Sequence, residues 1–218
     1  MIDFKIPSNI EKLKETTQKF ILDKVIPKEK DPRQDNHGPH DSLRTELNNE
    51  ARKAGLLSPS VGKKWGGLGL NMRDMAVIFE ASGYSLLGPQ AMNCSAPDEG
   101  NMHMLEVVAN NDQKKLWLKP LAEARIRSCF SMTEPSPGAG SDPTMLKTTA
   151  TKTDNGWIIN GEKWFITGFN GAKLNIIMAK TAKKIEKGHG ATIFLVDNEN
   201  PAIEKIRTQN SMESSFPG

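Results

Sequence analysis

The chain has 218 residues, 37% hydrophobic and 25% charged, with 29 basic and 26 acidic side chains and a net charge of +3. That length suits one large domain or two small ones and can bury a sizeable core. Charge this balanced argues against a nucleic-acid binder, which usually carries a clustered basic surface. With a mean hydropathy of -0.51 and no run of about 18 apolar residues, no segment reads as a membrane-spanning helix.

The first half reads as helical. Ser8-Asn9-Ile10-Glu11 has the form of a capping box, and Ile10, Leu13, Phe20, Ile21 and Val25 follow at roughly helical spacing, ending before Pro27. A second helix is expected from about Asp41, with Leu43, Leu47, Ala51 and Ala54 as its apolar stripe and Gly55 as its C-cap. Val61–Leu70 holds Gly62, Gly66, Gly67 and Gly69. It reads as a tight structural loop, since the Lys-Ser/Thr ending of a phosphate-binding P-loop is missing. Asn71 is a candidate cap for a third helix, whose inner face is expected to carry Met72, Met75, Ala76, Phe79 and Ser82. Residues 100–109 suggest a fourth, with Met104, Val107 and Val108 inward. Asp112 is placed as the cap of a fifth, where Leu116, Leu118 and Leu121 alternate with lysines and Pro120 limits or kinks the helix.

From about Arg127 the signals change to strands. Thr148–Thr153 is rich in β-branched residues and Asp154-Asn155-Gly156 is a turn signal. Trp157-Ile-Ile, Asn160-Gly161 and then Glu162–Thr167 read as a hairpin turning at Asn-Gly. Leu174–Ala179, Ala191–Val196 and Ile203–Arg207 are further strand candidates. Short strands with frequent turns predict an antiparallel sheet or barrel, so the fold class is α+β.

Cys94 and Cys129 are too few and too far apart for a disulfide framework, which favours a reducing compartment. Met1–Pro7 lacks the basic-then-apolar order of a secretory signal and the Arg/Ser-rich character of a transit peptide. A cytoplasmic setting is the default expectation, with mitochondrial or peroxisomal settings left open. His37, His40, His103 and His189 show no metal-ligand spacing, and no metal site is expected. Lys180, Lys183, Lys184 and Lys187 read as a solvated loop rather than an anion site. No Gly-x-Ser-x-Gly elbow is present. The polar loop Thr133–Asp142 exposes hydroxyls and backbone N–H groups that suit a flavin edge or phosphates. On its residues alone it reads equally as a plain connection.

Taken in order, Cys129-Phe-Ser-Met-Thr-Glu-Pro, Gly138-Ala-Gly-Ser-Asp and Gly161-Glu-Lys-Trp-Phe-Ile-Thr resemble the signature of acyl-CoA dehydrogenases. Trp65-Gly-Gly-Leu-Gly-Leu and Asp112-Gln-Lys-Lys-Leu-Trp-Leu-Lys-Pro-Leu are similar to that family's helical domain. The resemblance covers nearly the whole chain. It implies an N-terminal helical domain over 1–125 and an antiparallel β-barrel-like middle domain over 126–218, incomplete, with the family's C-terminal helical bundle missing. It implies FAD as cofactor, with Phe130, Met132, Thr133, Phe165, Ile166 and Thr167 at the flavin and Ser141 at the acyl-CoA. The implied reaction is α,β-dehydrogenation of a fatty acyl-CoA thioester, with an electron-transfer flavoprotein-type acceptor as partner. The family's homo-oligomer is expected only where the C-terminal domain is present. No catalytic base can be assigned, because the family's glutamate lies in that bundle, and Glu134 is not it. Ser136-Pro137 stands as an insertion in the motif, and Phe165 replaces a usual Trp. A truncated, inactive paralogue that binds acyl-CoA, flavin or a full-length relative is the alternative reading. A flavin enzyme of another substrate class, such as an oxidase, is a third.

Overall fold

The computed structural model describes residues 5–35, 38–138, 140–182 and 190–209. They fall into two compact units, one ending at Arg127 and the other beginning at Ser128. No helix among the described residues is long and apolar enough to cross a membrane.

In the first unit, α1 (Ser8–Phe20) turns Ile10, Thr17 and Phe20 inward. The Pro7 carbonyl accepts from the amides of Ile10 and Glu11, and no side chain caps this end. The Ser8–Glu11 capping box therefore does not form, because Ser8 is already the first helical residue. The helix widens into a π turn over Ile21–Val25, and Pro27 sits in a separate 3-10 turn, Ile26–Lys28. There its missing N–H leaves no intrahelical bond unmade. A short antiparallel ribbon, β1 (Gln34–Asp35) with β2 (Gly38–Pro39), leads into α2 (Asp41–Lys53). Leu43, Leu47 and Ala51 of α2 are buried, and Gly55 follows at φ +70°, the left-handed value of a helix stop. The glycine loop closes on itself through Leu68 N to Ser58 O, Gly69 N to Val61 O and Leu70 N to Pro59 O.

The Asn71 side chain caps α3 (Met72–Ser82) by accepting from the Asp74 amide. Its inner face carries Ile78, Ala81 and Ser82, whereas Met72 points outward. After the short α4 (Gly88–Ala91), α5 (Asp98–Val108) buries Asp98, Asn101, Met102 and Leu105. Val107 and Val108 are exposed, contrary to the reading of an inward apolar trio. Val107 lies opposite Asp98, Met102 and Leu105 on the helix, and Val108 is its last residue, where the chain leaves the packed face. Asn110, not Asp112, caps α6 (Asn111–Gln113), in a full capping box with Gln113. A π turn over Lys114–Leu118 leads into α7 (Lys119–Ala122), with Leu118 and Leu121 buried and Leu116 exposed. One apolar cluster joins α1, the Ile21–Val25 turn, α2, α3 and α4, and includes Ile21, Leu43, Leu56, Ile78, Leu87 and Met92. Each such side chain contributes roughly 1.5–3 kcal/mol by burial.

The second unit is a sheet of β3 (Ser128–Ser131), β4 (Thr149–Thr153), β5 (Gly156–Asn160), β6 (Leu174–Lys180) and β7 (Ala191–Asp197). β6 is central. It pairs antiparallel with β7 along its whole length, parallel with β3 from Leu174 to Ile177, and parallel with β4 at Lys180. The described sheet is thus mixed and open, which corrects the antiparallel, barrel-like expectation. Residue alternation marks a strand but not its direction. Here a long connection between β3 and β6 supplies the crossover that parallel pairing needs. β4 and β5 form a hairpin closed by Thr153 opposite Gly156, so the turn is Asp154-Asn155. Asn160 lies at the open end opposite Thr149, and residues 161–166 form no strand. The Asn-Gly hairpin expectation is overturned. Ile203–Arg207 likewise forms no strand, with Ile206 exposed.

Candidate functional site

The site grows from the end of β3. Cys129 and Ser131 turn into the unit, while Phe130 is half-buried, as are Met132 and Thr133 just past the strand. Ser131 Oγ donates to Asn175 Oδ1 of β6 at 2.6 Å, which anchors the strand end to the sheet.

Glu134 then turns inward and is only 2% exposed. Its carboxylate is fully engaged. Oε1 accepts from Lys163 Nζ at 2.8 Å and from the Thr148 amide at 2.9 Å, and Oε2 accepts from the Lys147 amide at 2.6 Å. Burial pushes this carboxyl up, but the Lys163 ammonium and the two amides outweigh it and hold the group at about 2. Burial also lowers the Lys163 ammonium from its ordinary value, against the opposing pull of Glu134. Lys163 makes a second bond, donating to the Met132 carbonyl at 2.8 Å. Beside it the Trp164 amide donates to the Thr133 carbonyl at 3.1 Å. The two motif segments, 132–134 and 163–165, are therefore bonded side by side.

Two glycines allow this approach. A Cβ on Gly161 would meet the Thr148 Cα at 2.6 Å, so only glycine lets the chain pass over Thr148 and deliver Lys163 to Glu134. A Cβ on Gly138 would lie 2.7 Å from Glu134 Oε2. The Asn160-Gly161 pair thus serves close packing rather than a turn.

Phe165 has φ +53°, a left-handed backbone that a non-glycine residue adopts at a cost of about 1 kcal/mol. The residue is 60% exposed, with its ring tilted 47° against Trp164 and the centroids 4.6 Å apart. Ile166 is half-buried and Thr167 exposed. The following turn, Ile166 O to Phe169 N, is tied back to the sheet by Asn198. Its Nδ2 donates to the Phe169 and Ala172 carbonyls at 3.1 and 3.2 Å, and its Oδ1 accepts from Asn175 Nδ2 at 3.1 Å.

Ser141 is exposed, and its loop joins the same body through the Glu134 amide, which donates to the Gly140 carbonyl at 3.1 Å. Asp142 caps the turn Pro143–Met145 by accepting from the Thr144 hydroxyl and amide, which hold its carboxyl below the ordinary value. Ala139, His37, His189, Lys183, Lys184 and Lys187 lie outside the described residues. Among the described residues no cluster of His, Cys, Asp and Glu could hold a metal ion. Burial pushes the Cys94 thiol up to about 12, so it is no nucleophile near neutral pH.

The donor set fits an isoalloxazine. An exposed flat ring at Phe165 stands in a segment bonded to a second segment carrying the Thr133 hydroxyl, with a further hydroxyl at Thr167. An aromatic face with hydroxyl and amide donors is what a planar heterocycle with polar edges requires. The residues that sequence reasoning passed over are Lys163, Asn175 and Asn198. Lys163 was visible only as one more lysine in a motif, and nothing in a linear reading pairs it with Glu134.

Comparison with known proteins follows the same division. The N-terminal domain of the acyl-CoA dehydrogenases matches residues 8–125, and the middle domain matches residues 129–215. Acyl-CoA dehydrogenase family member 10 of Mus musculus is 36% identical over 211 residues, spanning 91% of this chain and 20% of that protein. A solved Mycobacterium abscessus structure assigned to the acyl-CoA dehydrogenases is 30% identical with a TM-score of 0.86, covering 97% of this chain and 57% of that one. An acyl-CoA dehydrogenase of Bacillus anthracis, solved in complex with FAD, shares the fold at 23% identity and a TM-score of 0.73, covering all of this chain and 38% of its own. The class is that of an oxidoreductase family. The chain belongs to the acyl-CoA dehydrogenase family, and it spans about a fifth of the length of the mouse relative.

Proposed function

We propose that this chain is the FAD-holding and acyl-CoA-facing part of an acyl-CoA dehydrogenase, serving α,β-dehydrogenation of a fatty acyl-CoA thioester. The observation that carries the reading is the bonded pair of segments, Met132–Glu134 with Lys163–Phe165, which presents the exposed Phe165 ring from the same body as the Thr133 hydroxyl. When bound, FAD supplies a ring that accepts a hydride equivalent. Phe130, Met132 and Thr133 line that ring from the β3 side. The Thr133 and Thr167 hydroxyls donate to its polar edges, and Phe165 and Ile166 pack against it. Ser141, exposed on its capped loop, meets the acyl-CoA.

Glu134 takes no part as a base. Its oxygens accept three hydrogen bonds, and at about 2 its carboxyl has little affinity for a proton at neutral pH. This favours a second reading for the isolated polypeptide, in which it binds FAD and acyl-CoA without turning the substrate over. Anaerobic titration of the purified chain with acyl-CoAs, followed by flavin absorbance, separates the readings. Saturable spectral shifts with little bleaching are expected. Rapid bleaching and steady turnover with an electron acceptor would place a competent base in this chain and overturn the second reading. A chain that takes up no FAD would remove both readings.

A further inference from the structure

Lys163 is an expensive way to hold two segments together. Its side chain is only 11% exposed, and its partner Glu134 is more buried still. Buried ion pairs are often replaceable by apolar side chains without loss of stability, so packing alone does not call for a charge here. What distinguishes Lys163 is its second contact. Glu134 divides its remaining acceptor capacity between the Lys147 and Thr148 amides, whereas Lys163 places its ammonium on one carbonyl, that of Met132, at 2.8 Å.

That carbonyl belongs to the Met132–Thr133 peptide. In a trans peptide the C=O and N–H point to opposite sides. With Met132 O held against Lys163, the Thr133 N–H is turned away from the ammonium. The next carbonyl, Thr133 O, is fixed by the Trp164 amide at 3.1 Å, so the peptide is bonded on both sides of Thr133. A cation on a peptide oxygen draws electron density from nitrogen and strengthens the N–H as a donor, and hydrogen bonds in series polarise one another by roughly 10–30% each.

We propose that Lys163 is a positioning residue that acts on the flavin through this peptide: its ammonium orients and polarises the Met132–Thr133 unit, so that the Thr133 N–H donates more strongly to the electron-rich, reduced ring than to the oxidised one. The proposal rests on the flavin reading above. It assigns Lys163 a task beyond bracing, because a brace affects both redox states alike while a polarised donor favours the one that carries more negative charge.

The test compares the 218-residue wild type with Lys163→Met and Lys163→Arg, measuring FAD affinity in both redox states and, without FAD, the Thr133 amide proton shift by NMR. Lys163→Met is expected to weaken reduced FAD about tenfold more than oxidised FAD, which corresponds to about 30 mV for a two-electron couple. The Thr133 amide proton should move upfield in the same variant. Lys163→Arg, which keeps the charge at the carbonyl, should recover most of both effects. Should Lys163→Met fail to fold with Glu134 left unpaired, the double variant Glu134→Gln/Lys163→Met removes both charges and is judged by the same outcomes. A folded variant without the ammonium but with an unchanged Thr133 shift and an unchanged ratio of the two affinities overturns the proposal, even if its melting point falls. A wild type that binds no FAD overturns the flavin reading and the proposal with it, an outcome distinct from a wild type that binds FAD beside an unaltered variant.

Discussion

The two units of this chain are held together by different physics. In the helical unit the buried cluster is apolar and mostly aliphatic and draws on five helical elements and the loops between them, from Phe20 to Ala124, with Ile21, Val25, Leu43, Leu56 and Ile78 fully shielded from solvent. In the sheet unit the aliphatic contribution centres on Leu174, Ile176 and Leu146, and polar side chains are buried among them: Ser131, Glu134, Thr148 and Asn175. Aliphatic burial is non-directional, so the first unit tolerates variation in detail. Buried hydrogen bonds are directional and costly to leave unmade. The second unit uses them where two loops must keep a fixed register, beside the residues assigned to the flavin.

The largest effect that would break this contrast is at the brace. Glu134→Ala leaves the Lys163 ammonium buried without its anion and frees two amides, and should cost about 3–5 kcal/mol in urea unfolding. If it costs less than 1 kcal/mol, the polar brace is not what holds the sheet unit. Leu43→Ala in the helical core should cost about 3 kcal/mol. In the fraction that remains folded it should leave FAD affinity unchanged, and a parallel loss of FAD affinity would contradict the assignment of the flavin contacts to the sheet unit.

Acid should act on the sheet unit. The Glu134 carboxyl lies at about 2 when folded against an ordinary 4.5, so its contribution is fully present above pH 4.5 and is lost as pH falls towards 2. The shift corresponds to about 3 kcal/mol at neutral pH. Glu134→Gln should flatten the stability profile across that window, and a variant with the wild-type profile would show that other carboxylates govern it. A smaller effect is expected from Phe165→Gly. Relief of the left-handed backbone offsets the lost ring contact with Trp164, so stability should stay within about 1 kcal/mol. FAD affinity should nonetheless fall about tenfold, the equivalent of 1.4 kcal/mol. Smallest of all, Val107→Ser should change stability by no more than about 0.5 kcal/mol, because this valine is 66% exposed. A cost of 2 kcal/mol would restore it to a buried face.

These residues also show where a linear reading succeeds and where it stops. Asn71 and Gly55 were legible as cap and stop because their chemistry is local: a side-chain acceptor beside unpaired amides, and a residue that tolerates positive φ. The β4 and β6 strands were legible from β-branched and apolar runs. Met72, Val107 and Val108 were misplaced because an apolar side chain near a helix end carries little information about phase. The hairpin was assigned to Asn160-Gly161 because its turn chemistry is good. Close contact with Thr148 competed for the same glycine and won. Parallel pairing of β3 with β6, and the meeting of Glu134 with Lys163, depend on contacts between distant parts of the chain, to which no local signal points. The motif residues themselves, Phe130 to Thr133 and Phe165 to Thr167, were found through resemblance. Only the structure shows the hydrogen bonds that bring the two groups together.

The central claim is that those two groups form one flavin-holding surface. Titration of the purified, flavin-free chain with FAD, followed by quenching of flavin fluorescence, tests it most directly. Saturable binding of one FAD per chain is expected, weakened about tenfold by Phe165→Gly and also weakened by Thr133→Val, with both variants folded. Absence of saturable binding, or an affinity that neither substitution changes, would contradict it.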